Sequence, residues 1–184
     1  TQYIGRENVP KTGSLIIASN HRNSYDPGLI AAARVRKIHY MAKLELFNLN
    51  KLASWMLRHL NAFPISRGTG DQRSLNYAIR LVEEGKVLGI FPEGTRSKDG
   101  EIHRFKAGAF TLAKEAGVEI LPVVLDGTKT LIKKNALFNW GNRITIRVLP
   151  PVSAGRVAAA ETHELMQEVH DAMCAALAEI RNKK

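Results

Sequence analysis

The sequence predicts a single α/β domain in which a mixed, twisted sheet is flanked by helices. Apolar runs of strand length alternate with longer segments of helical periodicity, and helix-boundary residues fall between them. No internal repeat or flexible linker divides the chain, so one domain is expected over residues 1–184. The predicted strands cover residues 14–19, 37–41, 62–65, 87–91, 120–125 and 143–149.

Boundary residues predict the helices between these strands. Asp26 and Pro27 are typical of an N-cap and a first helical residue, and Asp71 begins the next helical pattern. A further helix is predicted over residues 107–116 because Gly117 follows it. The last helix carries one apolar stripe at helical spacing, made of Leu165, Val169, Ala172, Met173, Ala176, Leu177 and Ile180.

The composition limits the class of protein. The chain is 45% hydrophobic and 24% charged, which argues against disorder and against a polytopic membrane protein. Cys174 is the only cysteine, so no intrachain disulfide is predicted. No run of about eighteen apolar residues predicts a membrane-spanning helix, although an anchor ahead of Thr1 is compatible with the sequence.

The charge of the chain predicts anionic partners. Lys and Arg number 27 against 17 Asp and Glu, which gives a formal net charge of +10. A nucleic-acid partner is not expected, because the chain lacks a recognisable reader motif and basic residues interleaved with aromatic ones. We expect instead a peripheral location on an anionic membrane surface, at its cytoplasmic face.

Residues 44–60 form an amphipathic segment. Apolar residues alternate at helical spacing with Lys51, Arg58 and His59. Two interpretations are open: the apolar side rests on lipid, or it packs against the sheet.

The first candidate for chemistry is the NHRNSYD segment, residues 20–26, which follows a buried strand. His21 and Asp26 are five positions apart across a turn, so the carboxylate can orient the imidazole and leave its other nitrogen to accept a proton. The alternative is that Asp26 is a plain helix N-cap and His21 an ordinary loop residue. Ser24 lies between them, but without the G-x-S-x-G context of a covalent nucleophile.

The second candidate is the FPEGTRS segment, residues 91–97, which also follows an apolar strand. Glu93 can accept hydrogen bonds from glycerol hydroxyls, and Arg96 can bind a phosphate with two parallel hydrogen bonds. The alternative is an ordinary surface turn with a solvated ion pair. We expect the site where the strands ending near Ser19, Ile65 and Phe91 converge.

Four sequence blocks together carry a specific resemblance. NHRNSYD (20–26), FPISR (63–67), FPEGTRS (91–97) and ILPVVL (120–125) occur in the order of the blocks of the glycerolipid acyltransferases. The chain resembles that family, whose first block is the H-x4-D motif, and within it the lysophosphatidic acid acyltransferases. The resemblance covers residues 20–125.

The resemblance implies a role for each matching residue. His21 would be the catalytic base, Asp26 would orient it, and Arg67 would bind the substrate phosphate. Pro122 would help to line the acyl side. The remaining substrate-binding residues would shape the pocket for glycerol phosphate, and they are Glu93, Gly94, Thr95 and Arg96.

The implied reaction is transfer of a fatty acyl group from acyl-CoA or acyl carrier protein to the hydroxyl of lysophosphatidic acid, which gives phosphatidic acid. The implied partners are the acyl thioester donor, the lysophospholipid acceptor and a membrane surface. No metal or other cofactor is expected. The alternatives are an acyltransferase that acts on glycerol 3-phosphate or another lysolipid, and a non-catalytic lipid-binding module.

Overall fold

One sheet of seven strands forms the centre of the described part of the chain. A computed structural model describes residues 1–33, 36–65, 72–129 and 143–183. The strands lie in the order β1-β7-β6-β2-β5-β3-β4. Their bounds are β1 Gln2–Ile4, β2 Leu15–Ser19, β3 Ile38–Lys43, β4 Ala62–Ile65, β5 Val87–Ile90, β6 Glu119–Asp126 and β7 Thr145–Val148.

Helices connect most of these strands. A short 3-10 helix, Arg6–Asn8, follows β1. The α-helices are α1 Asp26–Ala32, α2 Leu44–Phe47, α3 Lys51–His59, α4 Gln72–Glu83, α5 Gly108–Ala116, α6 Ala154–Ala159 and α7 Thr162–Asn182. None of the described helices combines the length and the apolar character needed to cross a bilayer.

The sheet is mixed. Strands β2 to β6 all run parallel to one another, β7 is antiparallel to β6, and β1 is parallel to β7. Parallel strands are covered on both faces, which explains why Leu15–Ser19 reads as a continuous apolar run and is buried at every position. The predicted α/β class with a mixed sheet is confirmed.

Alternate side chains of the central strands pack into two apolar layers. Ile16 and Ala18 of β2 face the layer that contains α4, α5, α6 and α7, whereas Leu15 and Ile17 face the layer that contains Ile30 of α1. Each fully buried Leu or Ile contributes about 1.5–3 kcal/mol from burial alone. The two layers therefore hold β2 rigidly, and with it the loop that follows.

Two details differ from the expectations. β1 was not predicted, because its three residues are largely exposed and shorter than a recognisable strand pattern. The amphipathic segment 44–60 forms two helices rather than one, since Asn48 and Asn50 favour helix ends over helix interiors. The predicted start of the next helix at Asp71 lies outside the described residues.

Candidate active site

The candidate catalytic residues collect at the carboxyl end of β2. This strand pairs with β5 on one side and with β6 on the other. After β2 the chain passes through α1 and reaches β3, which lies beyond β5 in the sheet. After β5 the chain passes through α5 and reaches β6, which lies on the other side of β2. Connections that diverge in this way open a crevice outside the carboxyl ends of the strands. His21 lies in this crevice, two residues beyond Ser19.

The structure brings His21 and Asp26 together. His21 Nδ1 lies 2.9 Å from Asp26 Oδ2, and the Asp26 side chain is completely buried. The same oxygen accepts hydrogen bonds from the backbone N–H groups of Arg22, at 2.6 Å, and Asn23, at 2.7 Å. Because an ionised carboxylate only accepts hydrogen bonds, this contact favours the tautomer of the neutral ring in which Nδ1 carries the proton and Nε2 has the lone pair.

This arrangement corrects the assignment of Asp26 as an N-cap. The residue is the first of α1 and Tyr25 is the cap position, with no side-chain capping bond. The Asp26 carboxylate instead binds the backbone of the preceding loop and the His21 ring. The loop between His21 and Asp26 is therefore organised around this carboxylate. Pro27, the second residue of α1, has no N–H group that needs a capping partner.

An aromatic stack fixes the plane of the His21 ring. The ring lies on Phe91, with centroids 4.1 Å apart and an interplanar angle of 21°. Tyr40 lies beyond Phe91 at 6.2 Å and donates its hydroxyl to the Pro27 carbonyl at 3.0 Å. The His21 side chain is 20% exposed, so a partly buried aromatic platform supports the ring while the side chain keeps some contact with solvent.

Glu93 holds the backbone of the loop. Its Oε1 accepts from the His21 N–H at 3.1 Å, and its Oε2 accepts from the His103 N–H at 3.3 Å. Burial raises the pKa of the Glu93 carboxyl, and the two N–H donors oppose that shift. Both carboxylate oxygens thus bind the protein itself, while the predicted contact with glycerol hydroxyls stays a prediction.

The other residues of FPEGTRS lie nearer the surface. Arg96 is exposed and donates from Nη1 to the Ser24 hydroxyl at 2.7 Å, which joins the two predicted motifs across the crevice, and Thr95 is exposed beside it. Gly94 has a φ of 72°, a conformation that favours glycine, and a Cβ there would lie 3.0 Å from the Lys106 side chain. Arg96 and Lys106 place two cations at this loop.

The end of β6 binds the opposite side of the His21 loop. Asn20 donates to the Leu125 carbonyl at 3.0 Å and accepts from the Leu125 N–H at 2.8 Å. Asn23 donates to the Thr128 carbonyl at 3.0 Å. These bonds extend the β2–β6 contact beyond the last ladder pair, so His21 is held from both neighbouring strands.

A buried ionic cluster extends this support to the last helix. The Arg22 guanidinium donates to the Asp126 carboxylate, and both side chains are nearly buried. Arg181 of α7 places its Nε 3.8 Å from the same carboxylate, and it also binds Glu101 at 2.7 Å and the Gly100 carbonyl at 2.6 Å. A Cβ on Gly100 would lie 2.2 Å from Arg22, so glycine makes room for the cluster.

Replacing Arg181 tests whether α7 orders the loop beside the site. Arg181→Ala removes the contacts to Glu101 and Gly100, and partly exposed ion pairs of this kind contribute about 1 kcal/mol or less. The equilibrium for local opening should therefore shift by up to about fivefold. We expect faster amide hydrogen exchange at Ser97 and Gly100, whose N–H groups donate to the His21 carbonyl and the Ser97 hydroxyl.

Arg156→Ala is the matched control. Arg156 has similar exposure and pairs with Glu164 and Glu168 on α7, away from this loop. Its loss should leave exchange at Ser97 and Gly100 unchanged. Equal acceleration in both variants would mean that α7 loosens as a whole and that Arg181 has no local role.

Two further residues were predicted for the site, Arg67 and Pro122. Arg67 lies outside the described residues. Pro122 lines a cavity of about 500 Å³ together with Leu149 and Val169, and neither His21 nor Asp26 belongs to that lining. The predicted role of Pro122 on the acyl side stays a prediction.

Sequence reasoning missed several residues that position the base. Three of them lie within the predicted motifs. Their closeness in sequence to His21 and Glu93 could have indicated that they position the site, and they are Phe91, Asn20 and Arg22. Asp126 and Arg181 gave no such signal, because their link to Arg22 depends on tertiary packing.

Comparison with known proteins agrees with this geometry. The acyltransferase family model matches residues 1–126, which is more than half of the chain. The chain belongs to the acyltransferase family. The predicted resemblance and the predicted O-acyltransferase class are thereby confirmed.

Several relatives of this acyltransferase share one name. The chain is 30% identical over 168 residues to the 1-acyl-sn-glycerol-3-phosphate acyltransferase of Borreliella burgdorferi, covering 91% of this chain and 67% of the relative. It is 29% identical over 179 residues to the protein of the same name from Bacillus subtilis, covering 97% and 86%. The match to the Saccharomyces cerevisiae protein of that name covers 96% of this chain and 59% of the relative.

A solved structure shares the fold of this acyltransferase. The crystal structure of the 1-acyl-sn-glycerophosphate (LPA) acyltransferase PlsC from Thermotoga maritima matches with a TM-score of 0.81 and 29% sequence identity. The match covers 98% of this chain and 73% of that one. The shared fold thus extends beyond residue 126, into the C-terminal helices.

Proposed function

We propose that this acyltransferase moves a fatty acyl group from acyl-CoA or acyl-ACP to the free hydroxyl of lysophosphatidic acid and forms phosphatidic acid. The observation that carries the proposal is the 2.9 Å contact between His21 Nδ1 and Asp26 Oδ2, which leaves Nε2 as the proton acceptor of a side chain that is 20% exposed. The names of the relatives from Borreliella burgdorferi and Bacillus subtilis support the choice of acceptor.

The proposed reaction needs one base and no covalent enzyme intermediate. The acceptor hydroxyl donates a hydrogen bond to His21 Nε2, and its proton passes to that nitrogen as the oxygen attacks the thioester carbonyl carbon. The C–S bond then breaks, and the leaving thiolate takes the proton from Nε2 to depart as free thiol. Asp26 stabilises the imidazolium that exists between these two transfers.

Cations near the base support a phosphate-bearing acceptor. Arg96 reaches Ser24 of the His21 loop, and Lys106 passes over Gly94 of the neighbouring turn. A guanidinium can bind two phosphate oxygens at once. We assign Arg96 to the acceptor phosphate together with Arg67, which the family resemblance implies.

Arg96→Ala should weaken binding of the acceptor more than binding of the donor. A lost charge-assisted hydrogen bond costs about 1.5–3 kcal/mol, so the KM for lysophosphatidic acid should rise about 10–100-fold. The KM for the acyl donor should change by about twofold or less. Steady-state rates with each substrate varied in turn measure both constants.

Lys98→Ala is the control for general loss of positive charge. Lys98 is exposed two residues from Arg96, and removing it should leave both KM values near those of the wild type. Equal rises in the two KM values of Arg96→Ala would contradict a specific phosphate contact.

The test of the whole proposal is thiol release from palmitoyl-CoA and from palmitoyl-acyl carrier protein. Each donor is combined with lysophosphatidic acid, with glycerol 3-phosphate or with no acceptor, and His21→Ala is the control. Release that requires lysophosphatidic acid and disappears in the variant is the expected result. Release that requires glycerol 3-phosphate instead would change the acceptor, and no release in any combination would favour a binding protein.

The proposed location is peripheral, on the cytoplasmic face of a membrane. The lysophospholipid acceptor partitions into a bilayer, and a net charge of +10 favours a surface with anionic headgroups. Acyl carrier protein and coenzyme A are both compatible as donor carriers, since each presents the same thioester.

A further inference from the structure

Exposed apolar side chains concentrate in one short segment. Nine large apolar residues are exposed in the described part of the chain, and six of them lie in α2, in α3 or between them. We call this group the α2–α3 surface, and its members are Leu44, Leu46, Leu49, Leu52, Trp55 and Met56. Single exposed apolar residues are ordinary, but a contiguous group of this kind marks an interaction site.

The outward stripe of α3 decides between the two interpretations of this segment. Leu52, Trp55 and Met56 follow helical spacing i, i+3, i+4, and they are 73%, 58% and 42% exposed. His59 continues the stripe at i+7, with its ring 4.0 Å from the Trp55 ring. The interpretation that the apolar side chains pack on the sheet is therefore wrong for Leu52, Trp55 and Met56, which point into solvent.

The opposite side of α3 makes only a partial contact with the domain. Leu57 and Leu60 are half-buried, as is Phe47 of α2. Across residues 44–60 no side chain that the structure describes is fully buried. The segment therefore contributes little to the core and is free to present its outer face to a partner.

The charges around the α2–α3 surface select that partner. Lys43, Lys51 and Arg58 are exposed on or beside the two helices, against one acidic residue, Glu45. Apolar side chains bordered by basic ones are the pattern of a helix lying at the interface of an anionic bilayer.

The surface also lies close to the crevice. Helix α2 begins directly after Lys43, the last residue of β3, at the carboxyl edge of the sheet. β3 pairs with β5, and Phe91 and Glu93 of the His21 site follow β5. A bilayer held by α2–α3 would therefore lie beside the opening of the site.

We infer that the α2–α3 surface docks onto an anionic lipid bilayer, with Leu52 and Trp55 inserted among the acyl chains and Lys51 and Arg58 at the headgroups. The inference extends the proposed function by giving a route to a lipid acceptor. Vesicle binding is measured without turnover. A result can therefore contradict the docking inference and leave the proposed reaction intact, or contradict the proposed reaction and leave the docking inference intact.

The experiment measures co-sedimentation of the purified chain with vesicles. One set is pure phosphatidylcholine, and the other is an equimolar mixture with phosphatidylglycerol. Leu52→Ser combined with Trp55→Ser should lower the partition coefficient at least about tenfold, because two largely apolar side chains no longer leave water. Lys51→Glu combined with Arg58→Glu should lower binding to the anionic vesicles alone.

The matched control removes two exposed apolar side chains elsewhere. Ile4→Ser combined with Tyr77→Ser replaces two other large apolar residues, which are 38% and 43% exposed and lie outside the α2–α3 surface. Binding of this variant should equal that of the wild type. Circular dichroism checks each fold, and if the Leu52 and Trp55 variant were unfolded, the charge variant would carry the test.

Three results would overturn the inference. The first is a wild-type protein that binds neither kind of vesicle. The second is a Leu52 and Trp55 variant that binds as the wild type does. The third is equal binding of the wild type to neutral and anionic vesicles. A dimer that the Leu52 and Trp55 variant converts to a monomer, without vesicle binding, would assign the surface to a second copy of the chain.

Discussion

His21→Ala should lower kcat for thiol release by about 10²–10⁴-fold, the usual contribution of a positioned general base. The variant lacks the imidazole that would accept the proton of the acceptor hydroxyl. Among the described residues, no other imidazole contacts a buried carboxylate. KM values should change little, because the proton moves in the transition state. Initial rates under saturating substrates measure the effect.

The fold should survive this substitution. The His21 backbone keeps its bonds to Glu93 and Ser97, and its side chain is 20% exposed, so thermal unfolding should shift only slightly. His163→Ala, at an exposed position in the first turn of α7, is the matched control and should keep full activity. A His21→Ala enzyme with rates near those of the wild type would disprove the general-base assignment.

Asp26→Asn should reduce kcat by a comparable factor, about 10²–10⁴, while leaving His21 in place. Oδ2 accepts from the Arg22 and Asn23 N–H groups and from His21 Nδ1, so the amide oxygen would take its place and leave the tautomer unchanged. The amide is neutral, so the imidazolium that forms during proton transfer would lose the negative charge that stabilises it, and the amide NH₂ would lie at the Oδ1 position, which is buried without a hydrogen-bond partner. The pH–rate profile and kcat together report the weakened base.

Asp26→Asn should also destabilise the fold, unlike His21→Ala. Hydrogen bonds to a charged group contribute about 1.5–3 kcal/mol each, and this buried carboxylate accepts two from the backbone. Asp171→Asn is the control, since Asp171 is 65% exposed and lies 3.3 Å from His170 in a second His–Asp pair. That variant should keep both activity and stability, and loss in both variants alike would point to a general effect of removing charge.

Much of the fold follows from periodicity. The strands around β2 are predictable because buried parallel strands give continuous apolar runs, and α5 ends where Gly117 adopts the left-handed conformation. The break at Asn48 and Asn50 was missed, since an amphipathic pattern continues through it. Strand β1 was missed because its pairing with β7 supplies the order that its own three residues do not.

The candidate site was predictable where its members are close in sequence. His21 and Asp26 stand within one motif, and their spacing across a turn already suggested the pair. The dual contact of Glu93 with two backbone N–H groups was not visible, because one partner lies 72 positions away. The Arg22–Asp126–Arg181 cluster was less visible still, since it joins a loop, a strand end and the last helix.

The place of β2 in the strand order has a consequence for synthesis on the ribosome. His21 and Asp26 emerge together, but the strands on both sides of β2 are completed only at Ile90 and Asp126. Long-range pairing of this kind is slow, because chain entropy must be lost before the contacts form. The base and its carboxylate are therefore synthesised well before the two strands that hold their loop in place, and we expect the pair to be aligned only after Asp126 has been added.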